Sequence, residues 1–229
     1  MKTVLITGAN RGLGLGFTRH YLAAGCRVFS TARKPDQCAE FLELADTYGE
    51  RFNPVERDVG SEASVSSLAA RMGKEDLDLV INNAGHLADE GFGGWQAGTF
   101  QAAISVNLVG PALVAQALVP LMKKGSMLIN LSSGLASCGL NINPETGLDA
   151  YAASKAALNM LTRRLAAKTE THDIIVVAFD PGWVKTRMGG AEAELTVEQS
   201  ISDLTTSIGR LTEVQSGSFL SRKGEPLPW

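Results

Sequence analysis

Short apolar runs alternate with helix-forming stretches from one end of the sequence to the other. The runs fall at residues 4–6, 26–33, 52–59, 77–81, 126–133, 174–179 and 217–221. Between them, helical patterns cover 41–48, 61–72, 100–122, 151–168 and 200–211, and another follows the first glycines as far as Leu22. Strands that are apolar throughout belong in a sheet covered on both faces. Strands separated by the length of a helix pair in parallel, because a parallel crossover needs about a dozen residues or more. The pattern predicts an α/β fold with a doubly wound, mostly parallel sheet. No internal repeat, low-complexity segment or linker divides the chain, so residues 1–229 read as a single domain.

The first run, Val4-Leu5-Ile6, leads into Thr7-Gly8-Ala9-Asn10-Arg11-Gly12-Leu13-Gly14 and then a helix. Strand, glycine turn and helix in that order form the context of a phosphate-binding loop. Glycines let backbone approach a pyrophosphate, and the helix N-terminus supplies N–H donors and partial positive charge. The spacing Gly8-x-x-x-Gly12-x-Gly14 is a relative of the dinucleotide fingerprint rather than the fingerprint itself. A plain strand-to-helix turn is the alternative. Because the turn opens the first βα unit, the fold reads as Rossmann-type, with Gly8, Asn10, Arg11, Gly12, Leu13 and Gly14 as the cradle.

In such folds an acid about 20 residues past the loop binds the ribose 2′-hydroxyl of NAD. Here that region offers Ala32, Arg33 and Lys34, while Asp36 follows Pro35 and opens the next helix. An acid would repel a 2′-phosphate, and a guanidinium can bind one bidentately. Arg33, with Arg11 as a second candidate, therefore points to NADP(H). The alternative for Arg33 is a solvated charge at a strand end.

A second chemical signal is Tyr151-Ala152-Ala153-Ser154-Lys155. Tyrosine and lysine four residues apart share one helical face. An ammonium beside a phenol favours the phenolate and lowers the phenol from its usual ~10, toward proton exchange near neutral pH. An ordinary surface pair is the alternative. Asn82-Asn83-Ala84-Gly85 forms another small polar turn at the end of a strand, where open α/β sheets bind ligands.

Composition narrows the classes. With net charge -3 and pI about 5.7 there is no basic stripe for nucleic acid or an anionic membrane. No apolar run approaches the ~20 residues of a membrane span. Cys26, Cys38 and Cys138 are odd in number and widely spaced, which fits neither a disulfide framework nor a metal site and points to the cytoplasm.

The ordered motifs Thr7-Gly8 to Gly14, Asp58-Val59, Asn82-Asn83-Ala84-Gly85, Asn107, Ser133, Tyr151 with Lys155, and Pro181-Gly182 with Val184 and Thr186 together resemble the short-chain dehydrogenase/reductase family along nearly the whole chain. Pro181 to Thr186 and the final Leu-Pro-Trp resemble the branch of C-factor, sniffer and related carbonyl reductases. The resemblance implies roles. Tyr151 would be the general acid in reduction, Lys155 its modulator and a holder of the nicotinamide ribose. Ser133, preferred over Ser132 by motif position, would donate to the substrate oxygen. Asn107, otherwise a bridging structural amide, would position a water linking Lys155 to solvent. Asp58 and Val59 would meet adenine, and Asn82, Ala84 and Gly85 the adenosine ribose. Val184 and Thr186 would face the carboxamide, and Pro181 and Gly182 would also bind the cofactor. Family members commonly pair through the helices of Asn107 and Tyr151, which implies a homodimer.

The expected activity is NADPH-dependent reduction of a small aldehyde or ketone to the alcohol. A cofactor-binding regulatory protein and an NAD-dependent alcohol dehydrogenase are the other readings. Eighteen residues separate Ser133 from Tyr151, more than the family spacing, so the 134–149 loop is expected to shape the pocket. Leu135, Leu140, His86 and Trp183 are candidate pocket residues, with His86 not expected to be catalytic. The short segment after Thr186 implies an open pocket.

Overall fold

A computed structural model describes residues 1–73 and 76–229. In the first strand, β1 (Thr3–Ile6), Val4 and Ile6 enter one apolar cluster and Leu5 the other. Side chains alternate across a strand, so a strand between two cores must be apolar at every position. The same division recurs in β2 (Arg27–Ala32), where Val28 and Phe29 face opposite ways, and in β6 (Ile175–Asp180), where Val177 and Val176 do. With β3 (Phe52–Glu56), β4 (Leu77–Asn82), β5 (Met122–Leu131) and β7 (Phe219–Ser221), these strands form one sheet of order β3-β2-β1-β4-β5-β6-β7, every neighbouring pair parallel. The order reverses between β1 and β4, and the crevice outside their C-terminal ends is the expected ligand site of such a sheet.

On one face lie α1 (Gly12–Ala23), α2 (Ala39–Tyr48) and α8 (Val197–Ile208), contributing Phe17, Phe41, Ile201 and Leu204 to the first cluster. On the other lie α3 (Glu62–Ser66), α4 (Leu68–Met72), α6 (Gly110–Leu118) and α7 (Asp149–Thr169), contributing Val65, Leu68, Val114, Leu118 and Ala166 to the second. Fully burying a side chain such as Phe17 or Leu118 contributes roughly 1.5–3 kcal/mol.

Boundaries differ from expectation where caps and prolines act. Helix α8 starts at Val197 rather than 200 because Thr196 and Gln199 form a capping box. The expected helix at 61–72 is two short helices meeting at Ser67. Strands β2 and β3 stop at Ala32 and Glu56, so Arg33 and Asp58 stand beyond them in loops. Strand β5 starts at Met122 instead of 126 and stops at Leu131, leaving Ser132 and Ser133 past its end.

Gly110-Pro111, a pair that can break a helix, does not break the helical stretch expected over 100–122. Helix α5 (Ala97–Ile104) passes through a π-helical turn, Ser105–Val109, into α6, and Gly110 keeps helical angles. Pro111 has no N–H to give the carbonyl four residues earlier, that of Asn107, so the ladder widens just before the proline. The helical run Ala97–Leu121 also reaches the length and apolarity of a membrane span, with mean hydropathy 1.8 in its most apolar window. That corrects the expectation that no stretch comes near one. Isolated polar residues such as Asn107 hide the run from a search for unbroken apolarity. In the fold Val114, Ala115 and Leu118 of the run enter the second cluster, while Ala103 packs with Ala88 and Ala150.

Candidate active site

The end of β5 delivers two serines in opposite directions. Ser132 is buried and its hydroxyl donates to Asn159 Oδ1 at 2.6 Å. Ser133, half-buried, accepts the Leu135 N–H at 3.2 Å, and its hydroxyl acts on the Tyr151 phenol to favour ionisation. The two serines alternate in side-chain direction as strand residues do, and Ser133 is the one that meets Tyr151, as motif position implied.

Tyr151 sits in the first turns of α7 with Lys155 one turn on. The ammonium lies 5.7 Å from the centre of the Tyr151 ring and donates to the Leu131 carbonyl at 2.7 Å. Both side chains are buried. The expected lowering of the phenol is not what this arrangement produces. Burial pushes Tyr151 up to about 12, with the negative charge of Asp180 adding to the rise and the Ser133 hydroxyl opposing it. Burial also lowers Lys155 to about 8. The ammonium stands over the ring and is engaged by a carbonyl, so it does not offset the desolvation of the phenolate.

Asn107, fully buried in the π turn, uses its whole amide on protein. Oδ1 accepts the His86 N–H at 2.8 Å, and Nδ2 donates to the His86 carbonyl and to Ser154 Oγ, both at 2.9 Å. Ser154 Oγ in turn donates to the Tyr151 carbonyl at 2.7 Å. The side chain thus braces the end of β4 against the tyrosine helix.

The glycine turn lies across the β1/β4 crevice. Gly8 has φ +62, and a Cβ there would stand 2.8 Å from Ala84 Cα; one on Gly14 would stand 2.5 Å from Asn83 Nδ2. Only glycine permits both the left-handed backbone and this approach. Asn83 Nδ2 donates to the Thr7 and Gly8 carbonyls at 2.8 and 3.0 Å, and Thr7 Oγ1 accepts the N–H groups of Asn83 and Ala84, each at 3.0 Å. Arg11 is the N-cap of α1 and makes no side-chain cap, so the first turn's N–H groups are not capped by it. Thr186 Cγ2 reaches to 3.2 Å of where a Gly12 Cβ would be. This narrow, N–H-rich cradle fits a pyrophosphate.

Arg33 and Asp58 line one recess of about 510 Å³ beyond β2 and β3, with Pro35, Asp36, Arg57 and Arg71. Arg33 and Asp58 are exposed, while Val59 is buried against Gly110, and Asp58 Oδ1 accepts the Gly60 N–H at 3.0 Å. The Asn82 side chain turns into the sheet, donating to Asn130 Oδ1 at 2.9 Å, so only its backbone, with Ala84 and Gly85, faces the crevice side of that turn.

A family model described as short chain dehydrogenase matches residues 2–195. The chain belongs to the short-chain dehydrogenase family. Among solved structures it resembles an NADPH-bound carbonyl reductase from chicken fatty liver, at 34% identity and a TM-score of 0.92 over 100% of this chain and 99% of the other. It also resembles the carbonyl reductase Sniffer of D. melanogaster, at 32% identity and a TM-score of 0.92 over 100% of both chains. A relative named C-signal from Myxococcus xanthus is 33% identical over 161 residues, 67% of this chain and 93% of the relative. These likenesses agree with the sniffer-like carbonyl reductase branch expected from the sequence.

In this short-chain dehydrogenase two apolar side chains stand against the turns that follow β5 and β4. Ile142 Cδ1 lies 3.1 Å from where a Gly134 Cβ would be, and Met188 Cε 3.7 Å from where a Gly85 Cβ would be. Ile142, Met188 and Leu140 are each about two-fifths exposed, and His86 is exposed. Trp183 is over half exposed, with its indole N–H donated to the Gly189 carbonyl at 2.7 Å. Val184 is buried and bridged to Leu195, and the Pro181 carbonyl accepts from Ser200. Ile142 and Met188 escaped sequence reasoning because each lies in a loop without periodicity. Asn83 and Thr7 were visible within the motifs, but their bracing of the glycine turn was not.

Proposed function

We propose that this chain is an NADPH-dependent reductase that converts an aldehyde or ketone to the alcohol. The carrying observation is the buried Tyr151–Lys155 pair one turn apart on α7, the ammonium 5.7 Å from the ring centre, with Ser133 beyond β5 and the glycine cradle at the same sheet edge. NADPH, when bound, supplies the hydride. Gly8 and Asn10 to Gly14 would hold its pyrophosphate, Arg33 with Arg11 its 2′-phosphate, Asp58 and Val59 its adenine, and the backbone of Asn82, Ala84 and Gly85 its adenosine ribose. Lys155 would hold the nicotinamide ribose; Pro181, Gly182, Val184 and Thr186 would line the carboxamide side.

Ser133 donates to the substrate oxygen as negative charge builds there, and Tyr151 delivers the proton. A phenol raised to about 12 carries its proton throughout the neutral range, the form that protonates a carbonyl oxygen in reduction. With the Asn107 amide spent on His86 and Ser154, any water between Lys155 and solvent falls to the Asn107 carbonyl, which lost its usual donor to Pro111. The test is NADPH consumption by purified protein across aldehydes, ketones and quinones; absence of turnover on every compound counts against the proposal.

The similarity to a protein named C-signal supports a second reading, in which cofactor binding is regulatory and turnover incidental. NADPH binding without turnover would favour it. We also propose a cytoplasmic homodimer. The free thiols of Cys26, Cys38 and Cys138 fit a reducing compartment, and exposed Val109 and Met160 fit pairing through α5–α6 and α7.

A further inference from the structure

We propose that Leu227-Pro228-Trp229 is a strap that positions the loop following Ser133, with Ser137 and Trp229 as positioning residues that set which carbonyl substrates the site accepts. The selectivity part of the inference rests on the reductase reading above.

The loop starts at the site itself. Ser133 caps a short 3₁₀ turn, Gly134–Ala136, and the Ser137 N–H closes it on the Gly134 carbonyl at 3.1 Å. Ser137 is buried, and its hydroxyl is engaged from both sides. It donates to the Pro228 carbonyl at 2.7 Å and accepts the Leu140 N–H at 3.0 Å. The Ser137 carbonyl accepts the Asn141 N–H at 3.0 Å, and the Gly139 N–H donates to the Trp229 carbonyl at 2.7 Å. Residues 137–141 are thus folded onto themselves and pinned to the strap at two points. Asn141 and Asn143 then take the left-handed backbone that asparagine tolerates, with φ +45 and +49. Between them, Ile142 returns to Gly134, its Cδ1 3.1 Å from where a Cβ there would be.

The strap is anchored away from the loop. The Leu227 N–H donates to the Phe219 carbonyl of β7 at 2.9 Å. The Trp229 ring lies 5.9 Å from that of Phe219, and the Arg163 guanidinium of α7 stands 5.2 Å from the Trp229 ring centre. An aromatic neighbour and a cation over the indole together fix the ring. Strand β7, helix α7 and the loop therefore meet at Trp229. Gly134 directly follows Ser133, so an apolar substituent on a carbonyl held at Ser133 would find Ile142 next to it. Ile142 is two-fifths exposed and free to make that contact. Its place depends on the bonds at Ser137 and Gly139.

Three variants test the strap. Trp229→Ala removes the ring and leaves its carbonyl untethered, Ser137→Ala removes the hydroxyl, and Trp229→Phe keeps a ring between Phe219 and Arg163. Amide exchange at Gly139 and Leu140 should speed roughly tenfold in the two alanine variants, the scale of one lost hydrogen bond, and stay near wild type in Trp229→Phe. Both alanine variants should raise KM for a bulky apolar ketone roughly three- to tenfold, with kcat within about twofold and KM for a small straight-chain aldehyde unchanged. In an Ile142→Ala background, Trp229→Ala should add little to the ketone KM, because the strap acts through Ile142. Wild-type exchange in folded Trp229→Ala and Ser137→Ala overturns the proposal; if Ser137→Ala does not fold, Trp229→Ala decides alone. Faster exchange with an unchanged ratio of ketone to aldehyde kcat/KM also overturns it. The exchange measurement requires no turnover. Faster exchange in a protein that reduces nothing leaves the strap's hold on the loop standing and sinks the reductase reading.

Discussion

Tyr151 and Lys155 are both shifted by burial, toward their neutral forms. For Lys155 this has a consequence for stability. Its folded value, about 8, lies below the ordinary 10.5. Between those values the unfolded chain binds more protons, so folding grows more favourable as pH rises through the window, and the penalty is fully present below it. The shift corresponds to roughly 3 kcal/mol, reduced by about 1 kcal/mol for the hydrogen bond to Leu131 that a replacement would lose. Lys155→Met is therefore expected to melt several degrees higher than wild type at pH 7, with a smaller gap at pH 10, and to lose turnover; an equal or lower melting temperature at pH 7 contradicts this. Cofactor choice belongs to Arg33 and its neighbour. Ala32→Asp with Arg33→Leu should move preference from NADPH toward NADH, read as the ratio of the two kcat/KM values; an unchanged ratio would place the 2′-phosphate elsewhere. Individual residues were legible where a motif named them. Ser133 was separable from Ser132 by position, and the structure shows why they differ: one meets Tyr151 and the other Asn159. The direction of the phenol's shift was not legible, because it depends on burial and on Asp180, neither visible in a Tyr-x-x-x-Lys spacing.

At the scale of elements, strands read well because two-sided burial makes them unbroken apolar runs, and helix ends read less well. The start of α8 carried a signal, Thr196 with Gln199, that marks a capping box. The π turn at Ser105–Val109 carried a signal too, since Pro111 withholds its N–H from Asn107 and the ladder widens one turn before the proline. The 134–149 loop gave none: only the fold shows Ile142 beside Gly134 and the loop tied by the Gly139 N–H to the Trp229 carbonyl at 2.7 Å. The exposed faces of α5–α6 and α7 carry the dimer proposal. Sedimentation should give twice the chain mass, and Met160→Glu, on the exposed face of α7, should shift it toward the monomer; a wild-type protein that sediments only as a monomer sinks the proposal.

At the scale of the whole molecule, sheet order does the assembling. The reversal between β1 and β4 opens the crevice that the glycine turn lines, and β5 and α7 bring Ser133 and Tyr151 beside it. The fold class followed from alternation alone, whereas the strand order and the approach of Ile142 and Met188 to Gly134 and Gly85 needed three dimensions. Family membership establishes the fold and the oxidoreductase class; the reaction is a matter of chemistry at Tyr151. The most direct test is a comparison of wild type with Tyr151→Phe, measuring NADPH oxidation with the best substrate of a carbonyl panel and NADPH binding in parallel. We predict a loss of roughly 10²–10⁴-fold in kcat, the range of general acid catalysis, with the NADPH dissociation constant nearly unchanged. Undiminished turnover in Tyr151→Phe, or an equal loss of cofactor binding, would contradict Tyr151 as the proton donor.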